Sequence, residues 1–371
     1  MAATAGITGV GIIGASARRG WAAAAHVPAL HALSQYELRA VSASSQSSAD
    51  EAAASFGVPI ALDNHAALVR RPEVDLVVVS VKVPHHRELA TAALEAGKSV
   101  YCEWPLARDL VEAQALSELA SRMEAATVVG LQGRATPAIL YLRDLVAEGQ
   151  VGEILSTTMI GSSRPGAEID EADAYLADRA NGANLLTIAV GHAVDTLCFC
   201  LGEIQTLSAV LQTRRPFLTV RESGERIVKT SPDQTLIAGQ LQHGTPVSVH
   251  FREGLEGGTG LLWEINGTEG TLQVTAEGGL PGIYPLKVLD ATNASAPVPL
   301  PIPERYWTGE LAGLVGTPAH NVGCVYAAFA NDRSANSHTS ATFADAAARH
   351  GMIATIERAA SDGAQHRVRA R

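Results

Sequence analysis

No long run of lysine or arginine occurs in the sequence, and the formal net charge is −10. A surface that neutralises phosphates needs basic clusters, so no nucleic-acid partner is expected. No run of about 18 apolar residues occurs, so no membrane span is expected either. The first residues lack the charged start and apolar stretch of a secretory signal. Cysteine is scarce, and four in 371 residues do not make a disulfide framework. Cys198 and Cys200 form a C-x-C pair, but no His/Cys pair stands at zinc spacing around them. They read as small buried thiols. Together these absences point to a reducing, cytoplasmic setting. The Arg-rich end, Arg367 to Arg371, reads as a frayed tail.

What is present is an ordinary α/β composition, 47% hydrophobic and 18% charged with 34 glycines, in a chain long enough for two domains. Strand and helix signals alternate over the first third. Ile7–Ile13 is an apolar run ending in Gly14. Asp75–Val81 is the clearest buried parallel strand. Helical stretches such as Ser48–Phe56 and His86–Ala96 stop at Gly57 and Gly97, as C-caps should. This rhythm predicts βαβ units and a doubly wound parallel sheet, a Rossmann domain over residues 1–133. From Gln205 to Leu289 strands follow one another with few helices between. Residues 134–371 should therefore form an α+β domain around an open, mostly antiparallel sheet with helices on one face. Its C-terminal helix is free to pack back on the first domain. Ala291–Pro303 reads as loop.

A G-x-G-x-x-G pattern stands at Gly9, Gly11 and Gly14, but its first glycine comes before the strand is finished. A dinucleotide loop must follow the strand and open a helix, because the pyrophosphate lies on the helix N-terminus. The better register runs Gly14-Ala15-Ser16-Ala17-Arg18-Arg19-Gly20 into Trp21. Gly14 allows the tight turn, and Ser16 and the following amides can meet phosphate oxygens. After the second strand, Ser42, Ser44 and Ser45 stand where an Asp or Glu would hold the ribose of NAD. No carboxylate there repels a 2′-phosphate, and Arg18 or Arg19 can reach one. NADP(H) is favoured over NAD(H). The competing reading makes those serines a helix N-cap.

Three stretches together resemble the Gfo/Idh/MocA (glucose–fructose oxidoreductase/inositol dehydrogenase) family. They are Gly11-Ile-Ile-Gly14, Val78-Val-Ser-Val-Lys82-Val-Pro-His-His86 and Ala96-Gly-Lys-Ser-Val-Tyr-Cys-Glu-Trp-Pro105. Gly20-Trp21, Leu131-Gln-Gly-Arg134, Gly191-His192 with Asp195, and Pro232-Asp233 are similar to the branch of the fungal galactose-regulon repressor. The resemblance implies an NAD(P)-dependent oxidoreductase acting on a sugar-like or other small hydroxyl or carbonyl substrate. It also implies cofactor contacts from Val81, Lys82, His86, Glu103 and Trp104, with Glu103 on the nicotinamide ribose and His86 also read as a structural histidine at a helix start. The family carries Glu-Lys-Pro after the fifth strand, and its lysine assists proton transfer. Here Trp104 replaces it, and tryptophan cannot relay a proton. The family's Asp four residues before its His is Ile188 here.

His192 is then the best surviving acid/base, since imidazole titrates near neutral pH. It also reads as a core histidine on a buried helix. Asp195, three residues on and on the same face, either orients His192 or pairs with another donor. Lys82 either replaces the missing lysine or contacts a phosphate or carboxylate. Arg134 either binds substrate or locks the hinge between domains. Tyr175 lies in a loop, Arg164–Asn181, that can reach the pocket, where Trp104 is also expected to touch substrate. Three activities fit: a dehydrogenase, a non-catalytic NAD(P)-binding regulator, and an enzyme using transient oxidation. An uncovered sheet face is an apolar liability, so a homodimer or homotetramer through that sheet is expected.

Overall fold

The computed structural model describes residues 6–164, 166–255, 257–292, 296–335 and 337–368. Two compact units emerge. One holds the residues up to Ala135 together with Trp307–Ala347; the other holds Thr136–Tyr306 and the residues from Ala348 onward.

The first unit is built on six strands: β1 (Thr8–Ile13), β2 (Tyr36–Ser42), β3 (Ile60–Leu62), β4 (Leu76–Val79), β5 (Ser99–Glu103) and β6 (Thr127–Gly130). They pair in parallel in the order β3-β2-β1-β4-β5-β6. Leu76, Val77, Val78 and Val79 are completely buried, each burial favouring the fold by roughly 1.5–3 kcal/mol. Helices α1 (Val27–Ala32), α2 (Gln46–Phe56), α3 (His65–Val69), α4 (His86–Glu95) and α5 (Leu110–Arg122) connect the strands. A π-helical turn, Ala22–His26, leads into α1. Such widened turns are rare and often mark functional sites. The core joins Val10, Ile12, Leu30 and Tyr101 to Val322, Tyr326 and Phe329.

The second unit opens with α6 (Pro137–Ala147), β7 (Ile154–Ser163) and β8 (Glu168–Ile169), followed by α7 (Gly191–Leu201) behind a second π-helical turn, Leu186–Val190. The strands β9 (Ile204–Gln212), β10 (Phe217–Val220), β11 (Arg226–Val228), β12 (Gln234–Leu241), β13 (Pro246–Glu253), β14 (Leu261–Gly267), β15 (Thr271–Ala276), β16 (Lys287–Asp290) and β17 (Val298–Pro299) come next. Helix α8 (Pro318–Ala335) falls in the first unit, and after α9 (Phe343–Asp362) the short β18 (His366–Arg367) ends the described fold. Nine strands make one sheet in the order β17-β16-β15-β14-β7-β13-β12-β9-β18. It is antiparallel except where β7 meets β13. That pair is not consecutive: the chain leaves β7 and returns through α7 and β9, so the rule for consecutive strands does not govern it.

Three local expectations change. Residues 217–228 carry a hairpin, β10–β11, which joins β8 in a separate three-stranded sheet. The stretch read as loop contains β17, while residues 293–295 lie outside the described ones. Arg367 is paired through β18 to β9, and residues 369–371 of the expected tail lie outside the described ones. Residues 179–201 are long and apolar enough to cross a membrane, yet 83% of that window is buried, as in a core helix.

Candidate functional site

The order of the six-stranded sheet reverses between β1 and β4, and ligands of open α/β sheets bind outside the carboxyl ends of the strands at that point. A cavity of about 630 Å³ lies there, lined by Gly14, Ser16, Arg19, Ser42, Ser44 and Lys82 among others. Gly9 and Gly11 sit inside β1. A side chain on Gly9 would strike the carbonyl of Glu73, so those glycines serve strand packing. Gly14 has φ +97° and would place a Cβ 2.3 Å from the carbonyl oxygen of Ser80, so only glycine fits this turn. Its amide donates to the carbonyl of Ser42 at 3.0 Å. Gly20, at φ +98°, hands the chain to Trp21.

The residues present fit a dinucleotide. The crevice offers the hydroxyls of Ser16, Ser42 and Ser44 and the cations of Arg19 and Lys82 to phosphate oxygens. Val81 lines the same cavity. Two further lining residues, Asp63 and His65, have no signal in the sequence. They arrive from the end of β3, a strand too short to be read from its pattern.

Several expected cofactor contacts are engaged elsewhere. Arg18 is exposed and donates to Glu51 at 2.8 Å, on α2, and does not line the cavity. Ser45 is the N-cap of α2 and accepts from the amide of Ser48 at 3.2 Å, which realises the capping reading for that serine. His86 is completely buried, with Nδ1 2.9 Å from the carbonyl of Pro105 and Nε2 3.0 Å from that of Val81. Burial lowers its pKa. His86 sits between the carbonyls of two loops, and a neutral ring can donate to one of them. Glu103 faces inward: Gln132 Nε2 donates to Oε2 at 3.1 Å, and His26 Nε2 stands 3.0 Å from Oε1. His26 was missed as a site residue. Its only sequence signal is a histidine among alanines and valines on an inward helix face. Trp104 is buried, 5% exposed, and precedes a cis proline.

Arg134 is one-tenth exposed at its side chain and stands 3.5 Å from Asp345. It therefore ties the segment after β6 to the start of α9. In the second unit His192 is buried on the first turn of α7. Asp195 meets the fully buried Arg349, whose Nε lies 3.2 Å from Oδ1. That is the pairing alternative for Asp195. Tyr175 lies in a 3-10 turn, Glu171–Ala177, where burial pushes its phenol up to about 12. That loop borders a basin of about 960 Å³ lined by Arg164, Asp173, Leu176, Arg215 and Arg221, but not by Tyr175.

A family model described as "Oxidoreductase family, NAD-binding Rossmann fold" matches residues 8–131, and one for the C-terminal domain of Gal80p matches residues 137–276. The dehydrogenase aclE of Aspergillus oryzae is 36% identical over 248 residues, covering 65% of this chain and 68% of that protein. The galactose/lactose metabolism regulatory protein GAL80 of Kluyveromyces lactis is 31% identical over 301 residues, 73% of this chain and 64% of that protein. The chain thus spans about two thirds of the length of these relatives. Levoglucosan dehydrogenase, solved with NADH and levoglucosan, shares the fold with a TM-score of 0.85 at 22% identity, over 98% of this chain and 100% of that one.

Proposed function

The chain belongs to the Gfo/Idh/MocA family of NAD-binding oxidoreductases, and on that premise we propose that it is a nicotinamide-dependent dehydrogenase of a small, sugar-like hydroxyl or carbonyl compound. The observation that carries this reading is the crevice at the strand reversal, where Gly14, Ser16, Arg19, Ser42, Ser44 and Lys82 line one cavity. The bound cofactor supplies hydride donor or acceptor chemistry. Gly14 makes the turn, and Ser16 with the amides that follow it would hold the pyrophosphate. Lys82, at the exit of β4, contacts an anionic group. Trp104 shapes and shields the reacting face, and His192 exchanges the proton of the substrate hydroxyl or carbonyl.

NADP(H) is the proposed form. Arg19, Ser42 and Ser44 line the crevice, and all can donate to a 2′-phosphate. Asp63 in the same crevice opposes that charge, so the preference over NAD(H) should be modest. Fluorescence titration with NADPH and NADH tests it: equal or tighter binding of NADH removes the preference. A screen of sugars, polyols and ketones at the nicotinamide absorbance band then tests turnover. His192→Ala is expected to lower kcat by about 10²–10⁴-fold with cofactor affinity unchanged. Turnover that survives this substitution takes His192 out of the role.

Two observations favour a second reading, a non-catalytic, cofactor-binding regulator. Trp104 fills the lysine position, and Asp195 is committed to Arg349. Tight binding of cofactor with no turnover of any compound in the screen would select it. We also propose a homodimer or homotetramer through the outer face of the nine-stranded sheet. Val210, Leu236, His250, Ile160 and Leu262 follow one another across five adjacent strands, and Val210 and Leu236 are 48% and 40% exposed. Sedimentation of a monomer at micromolar concentration counts against it.

A further inference from the structure

The basin of about 960 Å³ in the second unit shares no lining residue with the cofactor crevice. Among the described residues its charged lining is Arg164, Arg215 and Arg221 against Glu168, Asp170 and Asp173. The formal charges cancel, but the pairing is uneven. Arg221, directly after β10, takes two carboxylates: its Nε lies 3.3 Å from Glu168, and a second nitrogen meets Asp170. Asp173 is likewise engaged. Among the described residues, Arg164 and Arg215 have no carboxylate within ion-pair distance.

Arg215 is seated rather than neutralised. It stands in the loop between β9 and β10, and Pro232-Asp233 fixes that loop. Asp233 is 2% exposed, and its two oxygens accept from the amides of Arg214 at 2.9 Å and Arg215 at 2.7 Å. The guanidinium of Arg215 donates to the carbonyl of Gly254 at 3.1 Å. Gly254 has φ +65°, and a Cβ there would collide with Arg215 Nη1 and lie 2.8 Å from the Cα of Gly166. Glycine lets the planar group lie this close to the backbone. The carboxylate next to Gly254, Glu253, is paired with Lys229 at 2.6 Å. The fold thus fixes a guanidinium at the basin and leaves it its charge.

An arginine fork matches a carboxylate with two parallel hydrogen bonds. A dianionic phosphate suits the basin less, because three carboxylates share its lining. Glu168 and Asp170 keep oxygen lone pairs that can accept from hydroxyls. The volume falls in the range of small-molecule sites, about 300–1,000 Å³. We propose that the basin is a binding site for a small polyhydroxy carboxylate, a sugar acid. Arg215 holds its carboxylate, Arg164 adds a second cation, and the acidic side of the basin takes its hydroxyls. The proposal does not depend on the dinucleotide reading.

The test is calorimetric titration of the full chain with D-gluconate, D-glucuronate and D-glucitol, the last carrying hydroxyls without a carboxylate. Both acids are expected to bind with a Kd at or below about 10 mM, and glucitol at least about tenfold more weakly. Arg215→Gln is expected to weaken both acids about tenfold and to leave the titrations with NADPH and NADH unchanged. Three results each overturn the proposal: acids that do not bind by about 10 mM, glucitol that binds as well as they do, or inorganic phosphate that binds more tightly. Arg215→Gln binding both acids as before overturns it too. Should Arg215→Gln not fold, the exposed Arg164→Gln decides. Weaker binding of the acids with glucitol unaffected supports the site, and an unchanged Kd overturns it. If neither dinucleotide binds the unaltered chain, the cofactor reading fails on its own and the acids still decide this one.

Discussion

Glu103 in the first unit and Asp195 in the second are both acidic side chains in the interior, and their partners differ in kind. Asp195 is 1% exposed and shares Arg349 with Glu203, whose two oxygens each accept from the guanidinium at 2.9 Å. The cation is fully buried and its forked geometry is satisfied, so the charges close on one another. Glu103 meets an imidazole and an amide, neither a permanent cation. A carboxylate matched by a buried guanidinium is tied into the fold by charge, and one met by an imidazole and an amide is tied in by geometry.

The largest expected effect tests the closed network. Arg349→Leu leaves Asp195 and Glu203 without their cation, and should cost about 3–5 kcal/mol of stability. Chemical denaturation followed by far-ultraviolet dichroism reads it. A loss below about 1 kcal/mol, the range of an exposed ion pair, would erase the distinction drawn between the two carboxylates.

The contrast also separates what the sequence makes legible from what it hides. The parallel sheet was readable because its signals are local: Leu76–Val79 is an unbroken apolar run, and Gly57 and Gly97 punctuate helices. Gly14 was readable because a turn after a finished strand has a fixed chemistry, which also exposed Gly9 and Gly11 as strand residues. Arg18 and Ser45 were misplaced because an arginine or a hydroxyl serves a phosphate, a surface ion pair or a helix cap equally well. The two buried networks had no local signature. Arg349 lies 154 residues from Asp195 and Tyr326 lies 300 residues from His26, so only the folded chain brings them together. The β10–β11 hairpin escaped because strands of four and three residues carry too little periodicity.

A third carboxylate sharpens the comparison with a smaller effect. Asp332, on α8, has no cation but accepts from the hydroxyls of Ser337, Thr339 and Ser340 and the amides of Thr339 and Ser340. Burial alone would raise its pKa, yet these donors overcome it and hold the group at about 2. A depressed pKa contributes stability that is present above the ordinary value and lost as pH falls through the folded one. Between about pH 4 and pH 2 the protein should therefore lose about 2 kcal/mol from this group. Asp332→Asn should remove that part of the acid dependence, and an unchanged acid limb in thermal melts would contradict it.

The smallest effect bears on Glu103 itself. Tyr326→Phe deletes only the hydroxyl behind His26 and keeps the ring that packs against Tyr36 and Tyr101. One neutral hydrogen bond is worth about 1 kcal/mol, and that is the expected loss in stability. Thermal melts read it. A loss well beyond about 1 kcal/mol would mean that the Tyr326 hydroxyl holds the first unit's network as firmly as Arg349 holds the second's.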